Sequence, residues 1–151
     1  MRVLILKKER KLCLLDGDAE LLCAPIGLGR NPEGAKAREG DGKTPEGVYR
    51  ICFQKPDGRH GRSLGLNYPN ADDAKAAFAD KAIDRETLKA IAAADAENRR
   101  PPWGTALGGE IYIHEGGAQS DWTQGCVALD ARDMDALYPR RAGITQVEIR
   151  P

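Results

Sequence analysis

Short apolar runs separated by polar turns fill the beginning of the chain. Val3 to Leu6, Leu12 to Leu15 and Leu21 to Ile26 are apolar and β-favouring, and Asp16-Gly17-Asp18 carries a turn signal between the last two. The pattern predicts a hairpin that a third strand continues. Both faces of these strands are apolar, which favours a sheet covered on both sides.

Polar segments rich in glycine alternate with a strand pattern in the next part of the chain. Residues 27–42 predict a loop. The turn Thr44-Pro45-Glu46-Gly47 then leads into the run from Val48 to Phe53, which predicts a strand. Residues 56–70 are again rich in loop-forming residues, and we expect a second loop there.

Residues 71–98 differ in composition, being rich in Ala, Asp, Glu and Lys and free of Gly and Pro. This composition predicts one or two helices inserted between β elements. Asp84 is suited to an N-cap, and Leu88, Ile91 and Ala92 share one helical face. Packing on the sheet is the favoured interpretation of this insertion, and a lid over a functional cleft is the alternative.

The rest of the chain returns to β-structure with one more helix. Ile111 to Ile113 predicts a strand, Asp130 to Tyr138 a capped helix, and Thr145 to Ile149 a final strand. The sequence thus predicts an α+β, β-rich fold. Its 151 residues suit one domain that spans residues 1–151.

Composition and charge exclude several classes of partner. Lys plus Arg (23) equals Asp plus Glu (23), so the chain lacks the basic footprint of a nucleic-acid-binding protein. No apolar run approaches the length of a membrane span, and Val3 to Leu6 is too short for a signal-peptide core. We expect a monomer.

Three pairs of basic residues are interpreted as solvated faces: Lys7-Lys8, Arg99-Arg100 and Arg140-Arg141. Contacts to an acidic substrate are the alternative.

Four cysteines and two histidines limit the metal chemistry. No cysteine pair has C-x-x-C spacing, so the sequence favours neither a zinc site nor a redox centre, and we expect no metal and no cofactor. Cys13, Cys23 and Cys52 are interpreted as small buried apolar residues. A disulfide between Cys13 and Cys23, on adjacent predicted strands, is the alternative. His60 lies in a polar segment and is interpreted as a surface residue.

His114 and Cys126 are the strongest candidates for catalytic residues in the sequence. His114 follows the apolar strand Ile111 to Ile113 and opens a loop that contains glycine, and Cys126 follows Gly125 and precedes an apolar run. A thiol attacks only as the thiolate, and a nearby imidazole can take its proton. The N–H groups of Gly125 and Cys126 are expected to hold an oxyanion. Taken alone, the two residues fit a core cysteine and a surface histidine; together they favour a Cys–His enzyme.

This segment resembles the signature of the L,D-transpeptidase catalytic domain (YkuD-type), a strand ending in His followed by Ser/Thr-x-Gly-Cys-Ile/Val-x-Leu. In this chain the signature is His114 and Thr123-Gln124-Gly125-Cys126-Val127-Ala128-Leu129. Lys43-Thr44-Pro45-Glu46-Gly47-Val48-Tyr49 and Leu107-Gly108-Gly109 are similar to two further family motifs. Asp121-Trp122 and Leu66-Asn67-Tyr68-Pro69 are typical of one branch, whose members cross-link peptidoglycan or cut lipoprotein from it.

The resemblance implies a YkuD-like mixed β-sandwich and a cell-envelope enzyme, located in the periplasm, that acts on peptidoglycan stem peptides. A cytoplasmic location is the alternative, since the sequence shows no signal-peptide core. Cys126 would be the nucleophile and His114 the general base. Gly125 and Gln124 would contribute to the oxyanion hole, and the backbone carbonyl of Glu115 would orient the imidazole. The residues expected to contact substrate are Tyr112, Trp122, Thr123 and Tyr68. A place in the core is the equal alternative for Tyr112 and Tyr68, and structural packing is the equal alternative for Trp122.

Departures from the family pattern keep alternatives open. Many members carry His and Arg where this chain has Gln124 and Ala128, and Gly where it has Glu115, whose side chain would raise the pKa of His114 if it lies close. Transpeptidation is the first hypothesis. An L,D-carboxypeptidase or a peptidoglycan–lipoprotein hydrolase with the same site is the second, and a non-catalytic wall-binding domain is the third.

Overall fold

Two β-sheets share one cluster of 24 buried apolar residues in the computed structural model, which describes residues 1–151. The strands are β1 Arg2–Leu6, β2 Lys11–Asp16, β3 Ala19–Pro25, β4 Gly47–Tyr49, β5 Ile51–Gly58, β6 Gly61–Leu66, β7 Tyr112–Glu115, β8 Val127–Leu129 and β9 Gln146–Arg150. The first sheet has the order β3-β2-β1-β9-β4, and the second has the order β5-β6-β7-β8. The α+β, β-rich sandwich expected from the sequence is confirmed.

The first sheet begins with the predicted hairpin. β1 pairs antiparallel with β2 and parallel with β9, and β2 pairs antiparallel with β3. Val3 and Ile5 alternate along β1 and are completely buried, as expected for a strand with one face on the core. β2 is buried on both faces, but β3 is mostly exposed, so the expected covering of both faces is wrong for β3.

A disulfide joins Cys13 of β2 to Cys23 of β3. The interpretation of these two residues as separate buried thiols is therefore wrong. A register shift between Leu14 and Leu15 makes Cys13 face Cys23 directly, since the pairing near the turn would otherwise bring Leu22 opposite Cys13. Sequence spacing alone does not reveal this bulge. Cys52 is a free, half-buried thiol.

A hairpin of β5 and β6 occupies part of the segment expected to be a loop. The two strands pair from Ile51 opposite Leu66 to Gly58 opposite Gly61, with two register irregularities. The prediction of a loop over residues 56–70 is therefore wrong for much of its length. Its polar composition and Pro56 misled the prediction, because β5 is an edge strand, where a proline and polar side chains are tolerated.

The helical insertion consists of α1 (Ala71–Ala79) and α2 (Arg85–Ala96), in agreement with the prediction. Asn70 caps α1 in a capping box with Asp73, and Asp84 caps α2 by accepting from a backbone N–H of the first turn. Ile91 of α2 is completely buried in the shared apolar cluster.

Asp95 fastens this insertion to the second sheet. Its carboxylate accepts hydrogen bonds from the guanidinium of Arg50, from Asn67 and from the N–H of Ala71. No residue of 71–98 lines the cleft described below. The insertion therefore packs on the sheet, as favoured, and the alternative of a lid is wrong.

The last helix, α3, spans Ala131–Leu137 and continues as a 3₁₀ helix over Tyr138–Gly143. Asp130 stands at the predicted N-cap position but makes no capping hydrogen bond; its carboxylate accepts from the N–H of Ala118 instead. β9 then completes the first sheet, close to the predicted final strand. None of the helices combines the length and apolarity that crossing a membrane requires.

Candidate active site

An open cleft of about 490 Å³ lies at the end of the second sheet. His114 and Cys126 both line it, and so do Tyr112, Trp122, Thr123 and Gln124. The parallel pairing of β7 with β8 brings the two halves of the motif together, because His114 lies opposite Ala128, two residues after Cys126. The predicted nucleophile and base therefore share one cavity.

The turn before Cys126 is built by its neighbours. The Thr123 hydroxyl accepts from the N–H of Gly125 at 3.1 Å and donates to the carbonyl of Cys126 at 2.7 Å, which closes a tight loop. Gly125 has a φ of +142°, and a Cβ there would lie 2.6 Å from the carbonyl oxygen of Lys43. Glycine is thus required at this position, and Thr123 has a structural role in the turn in addition to lining the cleft.

His114 is held as an oriented imidazole. Its side chain is buried, and its Nδ1 hydrogen-bonds the backbone carbonyl of Glu115. Because a carbonyl can only accept, Nδ1 carries the hydrogen and Nε2 is left with a free lone pair. Burial lowers the pKa of His114 from its ordinary value, so the ring is neutral at neutral pH.

The side chain of Glu115 does not act on His114. Its carboxylate forms an ion pair with Arg62 and also accepts from the backbone N–H of Arg62 at 2.8 Å. The expectation that this carboxylate raises the pKa of His114 is wrong, since that pKa is lowered and the Glu115 contribution comes from its backbone. The carbonyl of Glu115 has the orienting contact that was expected of it.

Cys126 rests as a neutral thiol. Its Sγ atom lies 3.3 Å from the carbonyl oxygen of Glu110, to which it donates, and accepts from the N–H of Tyr112 at 3.3 Å. Burial raises the pKa of Cys126 from 9.0 to about 11. The structure shows no hydrogen bond between Sγ and His114, so this site has a neutral thiol beside a neutral imidazole.

An aromatic wall closes one side of the cleft. The ring of Trp122 meets the imidazole of His114 edge-on, with centroids 5.6 Å apart, and its indole N–H donates to the carbonyl of Gly117 at 3.0 Å. Gly116 is required here, because a Cβ on it would lie 2.8 Å from the Trp122 ring. Trp122 therefore fixes the site loop and forms the wall beside His114.

Comparisons with known proteins identify a family for this chain. Residues 1–149 match the family model of the L,D-transpeptidase catalytic domain, YkuD. This chain belongs to the L,D-transpeptidase family. No curated protein is similar enough in sequence to count as a match.

Solved structures show the same fold. A variant of the helical cell shape determining protein Pgp2 from Campylobacter jejuni is 23% identical, with a TM-score of 0.68 over 98% of this chain and 46% of that one. Bd1075 from Bdellovibrio bacteriovorus is 19% identical, with a TM-score of 0.56 over 99% and 47%. The L,D-transpeptidase of Xylanimonas cellulosilytica is 13% identical, with a TM-score of 0.52 over 98% and 59%. This family member thus spans 46–59% of the length of these three structures.

Two residues of this L,D-transpeptidase family member were missed or misplaced by sequence reasoning. Tyr68, expected to contact substrate, is completely buried, and its hydroxyl donates to the carbonyl of Leu107 at 3.0 Å. It belongs to the core, so that expectation is wrong. His60, interpreted as a surface residue, is exposed but stacks on His114 in the cleft, with ring centroids 4.9 Å apart.

The cleft also carries unpaired positive charge. Arg30, Lys55 and Arg59 line it and form no salt bridge, and Glu110 is its one acidic residue. The basic pairs singled out in the sequence lie elsewhere, since no residue of 7–8, 99–100 or 140–141 lines this cleft. The sequence did not group the three cations, because Arg30 lies in the segment between β3 and β4 whereas Lys55 and Arg59 lie on the β5–β6 hairpin.

The acidic and cysteine residues offer no metal centre in the cleft. The one group with metal-like spacing is Cys13, Glu20 and Cys23, on the β2–β3 hairpin. Its two sulfurs form the disulfide and cannot ligate as thiolates.

Proposed function

We propose that this family member is a cysteine L,D-transpeptidase that acts on peptidoglycan stem peptides. The observation that carries the proposal is the shared cleft of Cys126 and His114, in which the Glu115 carbonyl fixes the Nδ1–H tautomer. Nε2 is then the nitrogen that can take a proton from the thiol. A neutral base beside a neutral thiol is the starting state that general-base activation of a nucleophile requires.

In the acylation step Cys126 attacks the carbonyl carbon of the L-centred diamino acid in a stem tetrapeptide. The Sγ proton passes to Nε2 of His114 as Sγ leaves the Glu110 carbonyl. The carbon–nitrogen bond to the terminal D-alanine breaks, and His114 returns the proton to the leaving amine. The stem peptide remains bound to Cys126 as a thioester.

Oxyanion stabilisation falls mainly to one amide in this proposal. The N–H of Gly125 already donates to the Thr123 hydroxyl, so it contributes less than the sequence suggested. The N–H of Cys126 makes no hydrogen bond with another backbone group. Losing one such donor slows related reactions by about 10²–10³-fold, so the Cys126 amide is sufficient for a large effect.

Deacylation by an amine is supported by a second cavity. Cys126 also borders a cavity of about 170 Å³, whose charged lining residues are Glu39, Glu110 and Lys36. Lys36 is paired with Asp41, and Glu110 lines the main cleft as well, so Glu39 is the carboxylate particular to this cavity. The carboxylates of Glu39 and Glu110 favour a cationic amine, whereas the main cleft carries Arg30, Lys55 and Arg59 and favours the carboxylates of the donor peptide. Glu39→Gln is expected to slow transfer to the amine while leaving formation of the thioester unchanged.

The disulfide supports the envelope location that the family membership suggests. Cys13 and Cys23 form the disulfide on the β2–β3 hairpin, away from the cleft residues. Disulfides persist in the periplasm and outside the cell and are rare in the cytosol. We therefore propose that the protein works in the cell envelope, where its peptidoglycan substrate lies.

Defined muropeptides test the proposal. Tetrapeptide muropeptide, with and without an amine acceptor, is incubated with wild type, Cys126→Ala and the control Cys52→Ala, which removes the free thiol outside the cleft. Wild type and Cys52→Ala are expected to release D-alanine and give cross-linked or amine-exchanged product, and Cys126→Ala none. If wild type forms only the tripeptide product even when the amine acceptor is present, the enzyme is a hydrolase. Unchanged substrate with wild type would favour a non-catalytic wall-binding domain.

A further inference from the structure

Both histidines of the chain lie in the active-site cleft. His60 and His114 are the only two in the sequence, and their rings are nearly parallel, with centroids 4.9 Å apart and planes at 25°. Trp122 meets both of them edge-on, at 5.2 Å from His60 and 5.6 Å from His114. Three rings from two distant segments thus form one cluster around the proposed base.

The chain holds His60 in place through the residue that also orients His114. His60 belongs to the tight turn between β5 and β6, which ends at Gly61 with a φ of +82°. A Cβ at Gly61 would collide with the Glu115 carboxylate, so the turn sits directly on Glu115. Because Glu115 bonds Nδ1 of His114 through its carbonyl, the two imidazoles are positioned against the same residue.

We propose that His60 is a positioning residue for His114: its ring packs against the imidazole of the base and keeps that imidazole in one orientation. This inference rests on the proposed function, in which a neutral His114 accepts the proton of Cys126. Trp122 covers the edge of the His114 ring and His60 covers its face, so rotation of the ring away from the thiol is opposed. Correct orientation of a base contributes directly to its rate.

Charge gives His60 a second effect on the base. Burial is the largest cause of the lowered pKa of His114. The hydrogen bond to the Glu115 carbonyl raises this pKa, and the nearby His60 lowers it. A positive charge on the neighbouring ring disfavours a proton on His114, because like charges at this separation repel. The other charged or titratable groups that line the cleft around the pair are Arg30, Lys55, Arg59, Glu110, Tyr112 and Cys126. The Glu115 carboxylate, paired with Arg62, lies against the adjoining turn at Gly61.

Two variants separate the packing effect from the charge effect. His60→Phe keeps a flat ring but cannot take a proton, and His60→Ala removes both ring and charge. Asp57→Asn is the matched control, because Asp57 is exposed near the same turn, lines no part of the cleft and makes no salt bridge. Protein labelled on histidine gives two imidazole signals in wild type and one in each His60 variant, so NMR titration reads His114 directly.

We expect the pKa of His114 to rise by roughly half a pH unit or more in both His60 variants, and the acid limb of kcat/KM to move up with it. His60→Phe should otherwise keep its kcat, whereas His60→Ala should lose about tenfold at every pH because the ring is no longer held. Asp57→Asn should match wild type in both readouts.

An unchanged His114 titration in both variants overturns the inference, and so does equal kcat in His60→Phe and His60→Ala. The titration needs no substrate. If wild type gives no thioester with muropeptide, the proposed function fails while the role of His60 in setting the state of His114 is still decided by the NMR result.

Discussion

The thiol of Cys126 donates to the backbone carbonyl of Glu110, with Sγ 3.3 Å from the oxygen, and not to an imidazole. Glu110 adopts a φ of +56°, a backbone conformation that residues with side chains rarely take. The strained residue thus presents the acceptor that holds the nucleophile in its neutral form. In the proposed mechanism, substrate draws Sγ away from this carbonyl before the proton passes to His114.

A neutral resting thiol predicts a specific pH dependence of alkylation. In a Cys52→Ala background Cys126 is the one free thiol. Its pKa is about 11, so the rate of its reaction with iodoacetamide should rise about tenfold per pH unit from pH 7 to pH 10. Quenching the reaction at set times and quantifying the alkylated protein by mass spectrometry measures this rate. A plateau already reached near pH 7 would instead show a thiolate–imidazolium pair at rest.

Glu115 is expected to act on His114 through its backbone alone. Glu115→Gln keeps the carbonyl but removes the charge that pairs with Arg62, so it should lower the free energy of unfolding slightly. The acid limb of kcat/KM should stay where it is, below pH 6.5, because burial lowers the pKa of His114 and the Glu115 carboxylate does not.

The measurement is a pH–rate profile beside a denaturant titration. A shift of the acid limb to lower pH in Glu115→Gln would mean that the carboxylate does support protonation of His114, contrary to the structure. Gly61→Ala serves as a comparison, since it disturbs the same contact from the other side and should destabilise the fold without changing a charge.

Much of the site follows from the sequence, because its parts are local. The order His114, Gly125, Cys126 needs only a strand end and a tight turn, and the hydrogen bonds of Thr123 explain why the turn has that sequence. His60 could not be found this way. It reaches the cleft through the β5–β6 hairpin, which the polar composition of an edge strand concealed.

The disulfide and Tyr68 show the same limit of local reasoning. Cys13 faces Cys23 only because a bulge shifts the register of β2 and β3, and no residue pattern marks that bulge. Tyr68 follows a strand and precedes a proline, which suits a site wall as well as the core. Its burial depends on packing against Tyr49 and Leu107, which are distant in sequence.

The unpaired cations of the cleft predict a dependence on substrate charge. Arg59→Gln should raise KM for a stem peptide with free carboxylates by about two- to fivefold and leave kcat nearly unchanged, since an exposed charge contact contributes about 0.2–1 kcal/mol. The effect should shrink with added salt. Steady-state kinetics with free and amidated stem peptides measures it; an equal rise in KM for both would refute a carboxylate contact.

The disulfide is expected to stabilise the fold without taking part in catalysis. Replacing Cys13 by Ala and Cys23 by Ser opens a short loop between residues ten positions apart, which should lower the free energy of unfolding by roughly 2–4 kcal/mol. Activity of the folded protein should be unchanged, because the hairpin lies outside the cleft. Denaturant titration with and without reductant provides the measurement, and a loss of activity in the folded double variant would contradict it.

The proposed thioester on Cys126 is open to direct observation. Intact-protein mass spectrometry, after mixing with tetrapeptide muropeptide and no acceptor, should show one adduct with the mass of the muropeptide less D-alanine. Peptide mapping should place it on Cys126, with the adduct kept in Cys52→Ala and lost in Cys126→Ala. Undiminished turnover by Cys126→Ala, or an adduct on a residue other than Cys126, would contradict the proposed mechanism.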